Sequence, residues 1–306
     1  MPDSADVAVV GSINADVTYI LEHLPLPGET ALSTRRHDAP GGKGANQAVA
    51  LSALGVSVDM VGAVGSDGQG RSLVESLRQR GVGCEAVATT EDLPTGSAVI
   101  LVSSSGENSI VVDAGANGAV SPEQVDSYFD GRSPRILMAQ LEIPLATVLR
   151  AAHATQETFI LNPAPMPAYS EDLRELINAC DILVPNRTEL AALAGTAVPE
   201  SLHDVIATAR ELPFDGQLVV TLGADGAVVF PDGIAGEAVS VKAPQVTARD
   251  ASGAGDAFCA ALAAGLLRGK DLVGASDYAC EFASWTTTQI GAQVGEVAPK
   301  HRLVSA

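Results

Sequence analysis

Ala248-Arg-Asp-Ala-Ser-Gly-Ala-Gly-Asp-Ala-Phe-Cys-Ala-Ala-Leu-Ala-Ala-Gly-Leu-Leu267 decides the reading of this chain. Val246 and Thr247 lead into it from an expected strand, Asp250 to Gly255 form a small-residue turn, and from Asp256 an Ala/Leu helix follows. A glycine-rich turn that opens a helix sets several unpaired backbone N–H groups where an anion can approach them closely. Asp256 stands at that point. A carboxylate would repel phosphate unless it has work there, such as taking the proton from a hydroxyl that attacks the phosphorus. The plain alternative is that Asp256 caps the helix, a role Asp fills well.

Other segments carry the same alternation of strand, polar turn and helix. Val7-Ala-Val-Val10 reads as a buried strand, with Gly11 to Asp16 as the turn at its carboxyl end, the edge of an open α/β sheet where ligands bind. Asn14 and Asp16 on that bend suit neighbouring hydroxyls, although both residues also favour turns for their own sake. Gly41-Gly-Lys-Gly-Ala-Asn46 opens a helix running to about Leu54, and Lys43 followed by Gly44 excludes a Walker A loop, which needs Ser or Thr after the Lys. Val58 to Val64 forms the next strand, ahead of a helix over about 70–80. The glycines at 62, 65, 68 and 70 are out of frame for a dinucleotide fingerprint.

Residues 96–102 and 109–113 flank a polar turn as a β-hairpin, whose first strand is apolar on both faces. Beyond it, helices are expected over 121–129 and 144–153. Strands are expected over 135–139, 157–161, 181–184, 217–221, 227–230 and 237–241. Ser121-Pro-Glu is a good helix start. Polar residues recur after these strands along one sheet edge, notably Gln140-Leu-Glu142, Asn186-Arg-Thr-Glu189 and Leu222 to Gly226.

The 306 residues are 46% apolar but only 4% aromatic, so Ala, Val and Leu must do the packing, as suits an α/β fold. A net charge of −19 with no offsetting basic stretch argues against nucleic-acid or anionic-membrane partners. A nucleotide would have to be held against that field by local dipoles, Lys43 and a metal. Cys84, Cys180, Cys259 and Cys280 lie far apart with no Cys-x-x-Cys pair, which reads as reduced, mostly buried thiols in a cytoplasmic protein. No signal peptide and no membrane-spanning run is evident. Trp285 is expected in the core, and His37 is read as structural.

Taken in order, Asn14-Ala-Asp16, Gly41 to Asn46, Asn186-Arg-Thr-Glu189, Thr221-Leu-Gly-Ala-Asp-Gly226 and Gly253-Ala-Gly-Asp256 resemble the PfkB carbohydrate kinases, over about Val7 to Pro299. The resemblance implies one kinase domain over 1–306, a central mainly parallel sheet flanked by helices, with a small β lid from about 13–40 and 95–113. It implies an ATP-dependent sugar kinase with D-ribose as the expected sugar. Asp256 would be the general base, and the amides of Gly253, Ala254 and Gly255 the anion hole. Asn14, Asp16, Gly42, Lys43, Asn46 and Glu142 would hold the sugar under an apolar cover of Ile100 and Val112. Asn186, Thr221, Gly223, Gly226 and Gly255 would line the nucleotide phosphates, and Glu189 would act on Mg²⁺ through water. Asp250, Ser252, Thr286, Gln289 and Gly291 would hold a monovalent cation, expected to be K⁺. Gly295 departs from the pattern, since members that bind this cation often carry Ser there. A homodimer joined through the lids is expected. Kinases for another sugar or a nucleoside (fructokinase-, deoxyribokinase- or adenosine kinase-like) and a non-catalytic sugar sensor of the same fold remain as alternatives.

Overall fold

A computed structural model describes residues 5–105, 107–295 and 297. β1 (Val7–Val10) is buried along its length. Val7 and Val9 enter one hydrophobic core, Ala8 and Val10 another, because successive strand side chains point to opposite faces. A strand with two apolar faces needs cover on both. The following chain supplies it as β2 (Asn14–Leu21), β3 (Arg35–Gly41), α1 (Lys43–Ala53), β4 (Val58–Gly65), α2 (Gly68–Gln79), β5 (Val87–Thr90), β6 (Gly96–Ser103) and β7 (Asn108–Asp113). Then come α3 (Pro122–Phe129), β8 (Ile136–Ala139), α4 (Leu145–Ala154), β9 (Thr158–Leu161), α5 (Glu171–Ala179), β10 (Ile182–Leu183), α6 (Arg187–Ala194) and α7 (Leu202–Arg210). The last elements are β11 (Gln217–Thr221), β12 (Ala227–Phe230), β13 (Val239–Val241), α8 (Ala254–Leu267) and α9 (Leu272–Thr286).

Among the described residues nine strands form one sheet in the order β13-β12-β11-β10-β9-β8-β1-β4-β5, parallel except for the antiparallel β12 and β13. One face is covered by α1, α2, α8 and α9, the other by α3 to α7. Helix α8 is buried from Asp256 to Gly265, as an apolar helix without a polar face must be. The carboxyl ends of the parallel strands open on one edge, where residues 11–13, 140–142, 162 and 185–186 lie side by side. All four cysteines are buried and free. Trp285 packs half-buried beside Phe282 against the first core. Among the described residues no helix is long and apolar enough to cross a membrane.

A second sheet, in the order β3-β2-β6-β7, stands apart from the first. Here the structure departs from the sequence reading. Asn14 to Asp16 is not a bend but the start of β2, paired with Gly41 to Ala39 on one side and with Gly96 to Ala98 on the other. Asn14 and Asp16 therefore point to one face because they are two residues apart on a strand. The register aligns Asp16 with Ala98, and Ala98 with Val112. Ile100 lies one step further along, so Ile100 and Val112 share the face of Asp16. Val246 and Thr247 are not in a strand, and α8 starts at Ala254, two residues earlier than its apolar run suggests.

Candidate active site

The turn ahead of α8 is tied from both sides. Asp250 Oδ1 accepts from the Ser252 amide and Oδ2 from the Gly291 amide, each at 2.9 Å. These amides hold the Asp250 carboxyl below its usual range, although burial pushes it the other way. Gly253 is the N-cap residue with φ of 70°, and a Cβ there would run into the Ala292 carbonyl. Both the left-handed backbone and the close approach call for glycine. The Ala254 amide donates to Ala251 O at 3.2 Å. The amides of Gly255 and Asp256, at the second and third helical positions, have no carbonyl four residues back within the helix.

Asp256 does not cap this helix. It is 7% exposed, and its Oδ2 accepts from Asn46 Nδ2 at 2.9 Å while Oδ1 accepts from Gln47 Nε2 at 3.2 Å. Burial raises its pKa, against the opposing pull of Lys43 and these two amides. Lys43 opens α1 after Gly42, itself at φ of 87°. Burial would strip the Lys43 proton, but Asp256, Glu142 and Glu189 together raise its pKa, so the ammonium stays charged among three carboxylates. Glu142 is braced by Ser12 Oγ at 2.5 Å and by the Lys43 amide at 3.1 Å.

On the small sheet, Asn14 Oδ1 accepts from Asn117 Nδ2 at 2.7 Å. Asp16 has its pKa raised to about 6 by burial and by the charge of Glu142. Asp16 Oδ1 and Asn46 Oδ1 are buried acceptors without a donor. Leaving such a group unpaired costs about 1–3 kcal/mol, and hydroxyl donors of a ligand are what would relieve it. Gly41 leaves room for this carboxylate, since a Cβ there would overlap it.

Two cavities meet at the start of α8. A polar one of about 480 Å³ is walled by Lys43, Asn162, Asn186, Glu189, Gly253 and Asp256. A larger, mainly apolar one of about 880 Å³ runs past Gly223, Gly226, Val246 and Phe258 to Ala283. Thr221, Ala251, Ala254 and Gly255 belong to both. Asn186 caps α6 in a reciprocal box, its Oδ1 accepting the Glu189 amide while both Glu189 oxygens accept from Asn186. Burial raises the Glu189 pKa, partly offset by the Asn186 amide and Lys43. Thr286 donates its hydroxyl to Ala283 O and Gln289 its amide to the Thr288 hydroxyl, whereas Ser252 and Gly291 meet Asp250 through their amides.

The structure thus brings together Asp256, Lys43, Asn46, Glu142 and Glu189 from four separate segments. It adds Ser12, Gln47, Asn117 and Asn162, to which the sequence reading gives no role, and Gln140, which that reading notes only as a polar residue after a strand. The one available signal was the polarity of Gln47 and Gln140 in otherwise apolar surroundings.

The pfkB family carbohydrate kinase model matches residues 4–299, and this chain belongs to that family. It is 35% identical to a ribokinase of Schizosaccharomyces pombe over 306 residues, 94% of this chain and 93% of the relative. It is equally, 35%, identical to a deoxyribokinase of Salmonella typhi over 298 residues, 94% of each chain. Among solved structures, Arabidopsis thaliana ribokinase complexed with ribose and ATP superposes with a TM-score of 0.82 at 31% identity, covering 94% of both chains.

Proposed function

We propose that this chain catalyses the ribokinase reaction, moving the γ-phosphoryl group of ATP to the primary hydroxyl of D-ribose to give ribose 5-phosphate and ADP. One observation carries this reading. A buried carboxylate, Asp256, and a charged Lys43 face the open first turn of a helix in one polar cavity, beside orphaned acceptors on Asp16 and Asn46. The sugar lies between the sheets, its hydroxyls held by Asn14, Asp16, Gly42, Lys43, Asn46 and Glu142, with Ile100 and Val112 over it. Asp256 takes the proton of the primary hydroxyl as its oxygen bonds to the γ-phosphorus. The bond from that phosphorus to the β,γ-bridging oxygen breaks, and ADP leaves. The amides of Gly253 and Gly255, and that of Ala254 once it leaves Ala251 O, stabilise with Lys43 the charge on the moving group. The nucleotide occupies the larger cavity, its phosphates beside Asn186, Thr221, Gly223 and Gly226. Closure of the small sheet as a lid keeps out water, which would otherwise take the phosphoryl group.

The test is a panel of sugars and nucleosides with ATP, read as ADP release. D-Ribose should give the highest kcat/KM. Preference for 2-deoxyribose would favour the deoxyribokinase reading, which the Salmonella relative supports equally by identity. No ADP release with any acceptor would leave a non-catalytic sugar-binding protein. The panel is run in K⁺, Na⁺ and tetramethylammonium, because the oxygen donors around Asp250, Ser252, Thr286, Gln289 and Gly291 suit a hard cation. A K⁺ ion there would fix the turn that carries the anion hole. Equal rates in all three ions would remove that part of the reading.

Asp16 gives the reading a pH signature. Only the ionised carboxylate accepts hydroxyls with both oxygens, and its pKa near 6 is that of the sugar-free protein. The KM for ribose should rise as pH falls below 6, approaching tenfold per unit. Asp16→Asn should raise KM at neutral pH and flatten this dependence. A wild-type KM constant from pH 7 to 5 contradicts the assignment.

Among the described residues no three His, Cys, Asp or Glu side chains cluster to cage a metal. Glu189 on the polar cavity wall fits Mg²⁺, which keeps most of its waters and arrives on phosphates. Mg²⁺ bound there would supply charge neutralisation for the transferring group. Glu189→Gln keeps the capping box, which accepts Glu or Gln, so folding should be little changed. The Mg²⁺ concentration for half-maximal rate should rise several-fold and kcat should fall; unchanged Mg²⁺ dependence would leave Glu189 with a capping role alone.

The lid supports a homodimer. Every residue of β7 is exposed, with Ile110, Val111 and Val112 at 55%, 65% and 54% on alternating faces of an edge strand. Such an edge invites pairing unless a partner covers it. Light scattering should give twice the chain mass, and Val111→Lys should shift it to one; a wild-type monomer refutes the dimer.

A further inference from the structure

Asp256 is held by more than the residues that would touch the sugar. Gln47 on α1 and Gln140 just past β8 are fully buried. Gln47 Nε2 donates to Asp256 Oδ1 at 3.2 Å, and Gln140 Nε2 donates to Gln47 Oε1 at 2.6 Å. The direction of this chain is fixed by its end. An ionised carboxylate only accepts, so Gln47 must offer it the amino group and turn its carbonyl back, where only the amino group of Gln140 can meet it. Gln140 Oε1 is left buried without a donor. Gly11 is what makes room for it, since a Cβ there would overlap that oxygen. Two buried amides in an apolar wall, one of them half-satisfied, stabilise the fold less than leucines would.

We propose that Gln140 and Gln47 form a positioning relay that fixes the rotamer of Asp256 and keeps its carboxylate ionised for proton transfer. This rests on the reading of Asp256 as the base. Asn46 serves the other oxygen but is also assigned to the sugar, whereas the Gln47 amide bonds Asp256 with its nitrogen and Gln140 with its oxygen. Gln47 and Gln140 are therefore positioning residues. The charged and titratable groups around Asp256 are Lys43 from α1, Glu142 after β8, Glu189 from α6 and Cys259 on its own helix. Glu142 and Glu189 disfavour a second negative charge while burial keeps the Cys259 thiol neutral, so the relay and Lys43 together oppose burial and the two glutamates.

The test compares Gln47→Leu, Gln140→Leu and the isosteric Gln140→Glu, which turns the last donor into an acceptor and forces Gln47 to reverse. In each, kcat for ribose should fall about tenfold at pH 7, and the acid limb of kcat/KM should move up by about one unit, as expected for loss of one hydrogen bond to a charged group. KM for ribose and ATP should stay within about twofold, since the lost contact touches neither substrate. Adding Gln47→Leu to Asp256→Asn should cost nothing further, because the relay acts only through that carboxylate. A folded variant with an unmoved acid limb, or a full additional loss in the Asp256→Asn background, overturns the relay. If the leucine variants do not fold, Gln140→Glu alone decides by the same readings. Asp256→Asn with wild-type kcat would instead overturn the base itself, so the two failures are distinct.

Discussion

Asp256→Asn will lower kcat for ribose phosphorylation by at least about 10²-fold, the lower range for loss of a general base, while ATP and ribose still bind. The substitution keeps the shape of the side chain and one acceptor for Asn46 or Gln47, so the partners of Asp256 lose little. What it removes is the proposed proton acceptor, and the two other carboxylates near it among the described residues are engaged elsewhere. Glu142 is bound to Ser12 and the Lys43 amide, and Glu189 is bound to Asn186. Isothermal titration with ribose and with a non-hydrolysable ATP analogue should give affinities within a few-fold of wild type. Tight binding with near-complete turnover in the variant would show that the hydroxyl loses its proton elsewhere.

Gly253→Ala should be nearly as damaging for a different reason. The added methyl meets the Ala292 carbonyl, and the residue must also hold φ at 70°. Non-glycine residues in that region cost of order 1–2 kcal/mol each, so the turn relaxes and its amides move off the position of the transferring oxygens. Displacing an anion-hole donor costs about 10²–10³ in kcat. Thermal unfolding should shift by only a few degrees, because the buried part of α8 from Asp256 to Gly265 is untouched. A variant with wild-type kcat would show that these amides do not contact the reacting phosphate.

The fold was legible where local chemistry and sequence pattern agree. The strand at 7–10, the glycine-led helices at 43 and 254, and the Ser121-capped helix at 122 all announce themselves by burial period and caps. β3 was not, because Arg-Arg-His-Asp-Ala-Pro-Gly has no alternation and forms an edge strand on pairing with β2 alone. The helices over 171–179 and 202–210 carried clear Ser caps, and the sequence reading passes over them. At the site, Asp256 and Lys43 could be picked out because their glycine flanks mark unusual backbone. Gln47 and Gln140 could not, since the contacts that give them meaning span 209 and 93 residues of chain. Asn117 reaches Asn14 over 103 residues for the same reason. Pairings of this length follow from sheet order and helix placement, which one sequence does not display.

The central claim, phosphoryl transfer from ATP to the primary hydroxyl of ribose, is tested most directly by ³¹P NMR of the products. With wild-type protein, D-ribose and Mg·ATP, the account predicts a phosphomonoester whose phosphorus couples to the two protons of a CH₂ group, formed in equal amount with ADP. Inorganic phosphate in place of the ester, or an ester whose phosphorus couples to a single anomeric proton, would contradict it.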